Sequence, residues 1–560
     1  MRGLRDRLTW PRRIAAAAGV IYLTLFAWTG HLIGRAEASY RNGWFDEGHA
    51  LLARASFWNV RRGRVSDALG VIDLARGRLD EAQIHLQGVR GRWFHPSAFK
   101  EERVLLTFLR AGQFEEARIY GAHRLRVEGG PGVEFYLGVA EKGLGHVDEA
   151  ERHLAAAEAP GARWREQASA QRSRLARLKT AGRAEFLLDR KGAAVAEVDL
   201  GTGRPAALIP GLSWLLTGPH AARVGTRDRG IQVELTLDLG LQKAAEAALG
   251  SRQGALVILD ASTGALLAAA SREGAVRATG DGSAAFSRGY EPGSIIKMIT
   301  LTAALRNRVD PAAIFPMDCP GWIPLDGAAF RDWTTHRRVD SIDQAVAESC
   351  NIAFGRLGGL VGREALDAEL RRFGFGREDQ AAASDFHFEL GRFLPPDAAR
   401  PSFALARRAE GLDSLRITPI HAAMIAAGLA SGGAVPVPYL VQRKRNILDE
   451  IVYEHRPSRL DDETLPPAVA AIITRTMIAA VTSQMGTARR ASVDGLTAAI
   501  KTGTSGTNPP GLDALVIGFA PAERPAIAWA LVAQSAGKAE LEGARITREL
   551  LSRVKASLKM

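Results

Sequence analysis

The stretch Ala255-Leu256-Val257-Ile258-Leu259-Asp260-Ala261-Ser262-Thr263-Gly264 decides the fold of the larger part of this chain. Its apolar run reads as a strand, Asp260 to Gly264 as a turn, and the apolar residues 265–270 as the return strand of an antiparallel hairpin. Upstream, Ile231-Gln232-Val233-Glu234-Leu235-Thr236-Leu237 alternates with period two, a strand signal, and residues 238–249 read as a helix with Asp238 near its start. Downstream, residues 515–519 and 526–533 form a further strand pair, followed by a helix over 546–558. Strands at both ends with helices between them predict an α/β (α+β) domain whose central antiparallel sheet is flanked by helices.

Short polar motifs fall inside this frame. In Tyr290-Glu291-Pro292-Gly293-Ser294-Ile295-Ile296-Lys297 the serine and lysine share one face of a helix. Serine needs a base to become a nucleophile, and a desolvated lysine with a lowered pKa can serve. The bland alternative is a surface lysine behind a capping serine. Ser349-Cys350-Asn351 offers a hydroxyl that can relay a proton and an amide that can bind a carbonyl; a helix-helix turn is its plainer reading. Lys501-Thr502-Gly503-Thr504-Ser505-Gly506 reads as a strand end whose cation and hydroxyls suit a carboxylate, with Gly503 leaving room for a ligand.

Each motif alone is weak, but the order S-x-x-K, S-x-N, K-T-G is specific. The cysteine at 350 departs from S-D-N and keeps both polar positions. From about residue 231 onward the chain resembles the transpeptidase domain of high-molecular-weight penicillin-binding proteins. Leu235-Thr236-Leu237-Asp238 with Leu241-Gln242, the hairpin around Asp260, and Thr418-Pro419 with Ser431-Gly432-Gly433 carry the likeness. So do Gly486-Thr487-Ala488, Asp513-Ala514 and Gly518-Phe519, while Cys319-Pro320-Gly321 and Ser349-Cys350-Asn351 are similar to the elongation-type members.

The resemblance implies that Ser294 attacks the carbonyl between two terminal D-alanines of a peptidoglycan stem peptide, with Lys297 accepting its proton. Ser349 then protonates the leaving amine, Asn351 binds the peptide backbone, and Lys501, Thr502 and Thr504 bind the terminal carboxylate beside Gly503. Backbone N–H groups of Ser294 and Thr504 form the oxyanion hole. Resolution by an amine gives D,D-transpeptidation, and by water a carboxypeptidase side activity. β-Lactam antibiotics are expected to leave a covalent acyl group on Ser294. The resemblance calls for no cofactor and no metal. Rivals are a serine β-lactamase, for which no deacylating glutamate can be assigned, a β-lactam sensor, and a scaffold with a vestigial site.

Arg2, Arg5, Arg7, Arg12 and Arg13 precede an uncharged stretch, residues 14–33, long enough at helical rise for the ~30 Å hydrocarbon core. A cytoplasmic tail (1–13) and a single-pass signal anchor (14–34) in a bacterial inner membrane follow, with the remainder periplasmic or extracytoplasmic. Ala36-Glu37-Ala38 resembles a signal-peptidase site, but the apolar run exceeds the usual h-region, which favours an uncleaved anchor.

Four related segments come next: Gly43-Trp44-Phe45-Asp46-Glu47-Gly48, Gly77-Arg78-Leu79-Asp80-Glu81-Ala82, Gly112-Gln113-Phe114-Glu115-Glu116-Ala117 and Gly145-His146-Val147-Asp148-Glu149-Ala150. Their glycines recur 34, 35 and 33 positions apart, the period of tetratricopeptide helix pairs. Glycine allows the tight turn, and the acidic pair sits at the positive end of the next helix. An all-α, tetratricopeptide-like solenoid is therefore expected over 38–180, a linker or pedestal over 181–232, and the transpeptidase domain over 233–560. The solenoid reads equally as a face for a protein partner and as a rigid spacer.

At 560 residues and 46% hydrophobic content, two or three domains are expected. The net charge of +12 comes from arginine spread along the chain, so a nucleic-acid partner is not implied. Cys319 and Cys350 form no C-x-x-C pair, which argues against zinc; a disulfide between them has only their even count in support.

Overall fold

The computed structural model describes residues 3–58, 60–87, 101–127, 129–181, 183–199, 204–224, 230–272, 284–377, 384–461, 463–507 and 511–558. The chain opens with one continuous helix, α1 (Gly3–Arg41), and continues through α2 (Phe45–Phe57), α3 (Arg62–Ala75) and α4 (Leu79–Gln87). Then come α5 (Glu101–Arg110), α6 (Phe114–Val127), α7 (Pro131–Leu144), α8 (Val147–Ala157) and α9 (Arg165–Ala181). Gly43, Gly77, Gly112 and Gly145 stand between consecutive helices at φ of 76°, 73°, 71° and 86°, a left-handed turn that a Cβ would strain. The acidic pairs Asp46/Glu47, Asp80/Glu81, Glu115/Glu116 and Asp148/Glu149 occupy the first turns of α2, α4, α6 and α8. One hydrophobic cluster runs from Leu32 and Ile33 of α1 through Ile72 of α3 to Leu154 of α8 and Leu175 of α9.

The α1 helix does not end where the expected anchor ends. Thr29, Leu32, Ile33, Ala36 and Ser39 are buried, so the upper part of α1 is packed as the partner of α2. The expected boundary between an anchor at 14–34 and a helical region from 38 therefore falls inside one helix. The apolar run reports length and polarity, not what covers it.

Strands β1 (Arg183–Leu188), β2 (Ala194–Asp199), β3 (Pro205–Ala207) and β4 (Gln232–Leu235) follow. They belong to a six-stranded sheet completed by the hairpin Val441–Arg445 and Ile451–Glu454, which pairs antiparallel with β4. The expected pedestal at 181–232 is thus not contiguous, and β4 lies in this sheet rather than in the central one. The tip of that hairpin also ties the helical region to the rest. Arg110 donates to both oxygens of Glu450 at 2.8 and 2.6 Å, Arg174 to Asp449 at 3.0 Å, and Gln171 Nε2 to the Ile447 carbonyl at 3.1 Å.

The central sheet is five-stranded and antiparallel. Its order is Ala499–Thr507, Gly511–Ala520, Ile527–Ala533, β5 (Gly254–Asp260) and β6 (Leu266–Arg272). Strand alternation sends Leu256 and Ile258 to one face, against Leu241, Leu249, Ile546 and Leu550. It sends Val257 and Leu259 to the other, against Ile420 and Met424. Both faces are covered by helices, which is why these strands are continuous apolar runs. Asp238 caps the helix Leu239–Leu249, accepting from the Gly240 and Leu241 amides.

Candidate active site

The edge strand Ala499–Thr507 carries the third motif and runs against the turn that carries the first. Ser294 lies in the 3-10 turn Gly293–Ile296, which leads directly into the helix Lys297–Arg306. Its hydroxyl therefore sits at the positive end of a helical segment, where a developing anion is stabilised. Gly293 has a φ of 57°, and a Cβ there would come 2.8 Å from the Thr504 carbonyl oxygen. A Cβ on Gly503 would come 2.9 Å from the Pro292 oxygen. Two glycines thus allow strand and turn to touch, and Gly503 serves this packing as well as any ligand.

Lys297 and Lys501 are both fully buried, so neither is a surface cation. Lys297 Nζ donates to the Ser349 carbonyl at 2.6 Å and to Asn351 Oδ1 at 2.6 Å, with Ser349 Oγ farther off at 3.3 Å. The two short bonds use the two N–H groups that a neutral amine has, leaving its lone pair free to accept a proton. Lys501 Nζ donates to Ser349 Oγ at 2.9 Å and to the Thr502 carbonyl at 2.8 Å. Both amines therefore converge on one hydroxyl, from residues far apart in the chain.

Burial pushes the Lys297 ammonium below its ordinary range, while the charges of Asp332 and Glu410 pull the other way. Burial lowers Lys501 strongly, and the nearby Lys297 charge lowers it further. Glu410 is itself buried and its carboxyl is pushed up to about 7, against the opposing pull of Arg407 and Lys297. Its Oε1 accepts from Arg407 at 2.7 Å.

The second motif is held in an unusual backbone state. Ser349 has a φ of 58°, rare for a residue with a side chain, which turns its carbonyl toward Lys297. Cys350 then caps the helix Asn351–Val361, its Sγ accepting from the Ala353 amide. Thr502 Oγ1 is bonded to Thr487 Oγ1 at 2.8 Å, and Thr504 Oγ1 accepts from the Ala539 amide at 3.1 Å. Lys297, Ser349, Asn351, Lys501 and Thr502 are thus joined by hydrogen bonds, and Gly503 and Thr504 pack against the turn that carries Ser294.

Sequence reasoning missed what lies behind Ser349. Asp332 Oδ2 accepts from the Cys350 and Cys319 thiols at 3.2 and 3.4 Å and from the Ile352 amide at 3.1 Å. Asp332 Oδ1 lies 3.2 Å from His336 Nε2, and His336 Nδ1 lies 3.0 Å from Glu348 Oε2. Burial opposes ionisation of Asp332, but the His336 bond and the Lys297 charge outweigh it and hold the carboxyl below its usual range. The cysteines are free thiols with Sγ atoms 3.8 Å apart, not a disulfide.

The donor atoms of Cys319, Asp332, His336 and Cys350 lie within 4.8 Å of one another. Two thiolates, an imidazole and a carboxylate suit tetrahedral Zn²⁺, so the lack of a C-x-x-C pair is a poor argument against zinc. Asp332 and His336 come from one loop, Cys319 from a strand end and Cys350 from a helix N-cap, so only the D-x-x-x-H spacing is local. A metal there would fix Cys350 and hence its neighbours Ser349 and Asn351. Titrating Zn²⁺ into chelator-treated protein is expected to raise the Tm by several degrees, and Cys350→Ser to abolish that rise. An unchanged Tm would reduce the four groups to a hydrogen-bonded cluster.

Fold and site together are a helix-flanked antiparallel sheet at whose edge two buried lysines meet one serine hydroxyl. Residues 254–554 match the family described as the penicillin binding protein transpeptidase domain, and the chain belongs to that family. Peptidoglycan D,D-transpeptidase PbpA of Mycolicibacterium smegmatis is 31% identical over 264 residues, covering 45% of this chain and 51% of that protein. The chain thus spans about half the length of the curated relatives it matches. Among solved structures, the imipenem acyl-enzyme complex of penicillin-binding protein A from M. tuberculosis is similar at a TM-score of 0.55 and 25% identity. That likeness covers 66% of this chain and 98% of the other. The D,D-transpeptidase domain of a peptidoglycan glycosyltransferase from Eggerthella lenta shares the fold at a TM-score of 0.59 and 24% identity, over 67% and 99% of the two chains.

Proposed function

We propose that this protein is a membrane-anchored peptidoglycan D,D-transpeptidase that acylates on Ser294. The observation that carries this reading is the convergence of Lys297 and Lys501 on Ser349 Oγ beside the Ser294 turn. Ser294 Oγ attacks the carbonyl carbon of the penultimate D-alanine of a stem peptide, and its proton passes to Lys297 Nζ. The negative charge that forms on the carbonyl oxygen is met by the backbone N–H groups of Ser294 and Thr504. The C–N bond then breaks, the terminal D-alanine leaves as an amine protonated through Ser349, and an ester on Ser294 remains. Lys501, Thr502 and Thr504 hold the terminal carboxylate of the stem, and Asn351 its backbone. An amine of a neighbouring stem attacks the ester, forms the cross-link and returns the serine.

β-Lactams enter the same route, with the ring amide in place of the D-Ala-D-Ala bond. The α1 helix, whose segment Ile14–Arg41 is long and apolar enough to cross a membrane, anchors the chain with its catalytic part outside the cytoplasm. The helices α2 to α9 form a tetratricopeptide-like region, supported by the glycine turns and acidic first turns at matching positions. The docked hairpin tip at Ile447–Glu450 favours a rigid connector for that region over a freely open partner face.

Purified full-length protein given a pentapeptide stem and an amine acceptor is expected to release one D-alanine for each cross-linked product. Release of D-alanine without cross-link would make it a carboxypeptidase, and no release at all would remove the enzymatic reading.

A further inference from the structure

The part of helix α1 left unpacked is shorter than a full span, and the way the rest is covered points to a second membrane contact. Its exposed apolar residues include Ile14, Val20, Ile21, Tyr22 and Leu23, but from Thr29 onward the helix is packed against its neighbours. The chain returns along α1 as α2, turns after Trp58 and leaves again as α3. That corner stands level with Phe26 to Gly30. The Arg61 guanidinium lies 3.6 Å from the Phe26 ring centre, and a Cβ on Gly30 would come 3.2 Å from Arg61 Cζ.

From Ile14 to Phe26 the helix rises only about 20 Å, against a hydrocarbon thickness of about 30 Å. If the arginines before Ile14 mark the inner boundary, the corner stands within the outer part of the bilayer. Its side chains fit that depth. Phe57 is 80% exposed and Trp58 and Trp28 are each 45% exposed, aromatic surface that water would leave uncovered. Residues 48–66 hold Arg54, Arg61, Arg62 and Arg64 and no acidic residue, a charge balance that suits anionic lipid phosphate.

We infer that the corner between α2 and α3 is a membrane-seating surface: Phe57, Trp58 and Trp28 enter the outer lipid interface, and the exposed Arg62 reaches lipid phosphate while Arg61 stays packed on Phe26. The inference rests on the reading of α1 as a membrane span. It seats the helical region on the bilayer instead of holding it away, so the position of the catalytic domain is set by a footing as well as by a tether.

The test uses the full chain in nanodiscs of phosphatidylcholine and phosphatidylglycerol with single introduced thiols carrying an environment-sensitive fluorophore. Cys319 and Cys350 are fully buried, so labelling is directed to the new thiol. At Phe57→Cys the emission is expected to be blue-shifted and quenched at least about twofold by headgroup-proximal doxyl lipid, as for interfacial aromatic positions. At Leu360→Cys, on the catalytic domain, no quenching is expected, and Leu23→Cys should be quenched by doxyl groups deep in the acyl chains. A quenched Leu23→Cys label with an unquenched Phe57→Cys label would overturn the seat alone and leave the corner to a protein partner. Loss of quenching at both positions would overturn the seat together with the anchor.

Discussion

Replacing Ser294 by alanine is expected to lower covalent labelling by a penicillin by roughly 10⁴-fold, to background, while the fold is retained. The magnitude follows from chemistry. Acylation needs an oxygen nucleophile at that point, and no other hydroxyl stands at the start of the helix Lys297–Arg306 beside a neutralisable lysine. Among the described residues the Ser294 hydroxyl forms no hydrogen bond on which the fold depends, and the side chain is only half-buried. Its removal should therefore shift stability by less than about 0.5 kcal/mol, the range of substitutions that break no packing or network. Mass spectrometry of the intact protein after penicillin treatment reads the adduct, and thermal unfolding reads the fold. A residual adduct mapped to another residue would move the nucleophile and with it the whole reaction scheme.

Much of this architecture was legible from local pattern. The hairpin around Asp260 announces itself because its strands are apolar and its turn is not. The glycines at 43, 77, 112 and 145 mark helix turns because only a left-handed residue closes them without strain. Local pattern does not choose partners, however. The alternation at Ile231 to Leu237 correctly marks a strand, yet its neighbour comes from Val441–Arg445, with Arg443 bonded to Glu234 across 209 residues. The same limit hid the surroundings of the second motif. Asp332 and His336 look like ordinary loop residues, and their meaning comes from burial beside two thiols. Lys297 was legible as a base candidate by its spacing from Ser294. Its short bonds to the Ser349 carbonyl and Asn351 depend on the left-handed Ser349, which no spacing reveals.

The role of Lys297 can be separated from its charge. Lys297→Ala and Lys297→Arg are both expected to lower the acylation rate by about 10²- to 10⁴-fold, the usual worth of a positioned base. Alanine removes the amine and leaves the Ser349 carbonyl and Asn351 Oδ1 without their buried donor, so a stability loss of about 1–3 kcal/mol is also expected. Arginine places a permanent cation at the same point, but it cannot give up its proton and so cannot act as a base. The wild-type rate should rise with pH as the lysine loses its proton. Because burial lowers its pKa, the plateau should arrive below the ordinary lysine value near 10.4. Linkage gives the matching stability effect: between the lowered pKa and the ordinary one the unfolded chain binds the extra proton, so stability rises with pH across that window. The arginine variant should show neither the rising rate nor this share of the stability slope. Stopped-flow acylation by a chromogenic β-lactam from pH 6 to 10 measures the first, and Tm across the same range the second. Near wild-type acylation by the arginine variant would mean that Lys297 acts as a fixed positive charge, and the proton of Ser294 would need another acceptor.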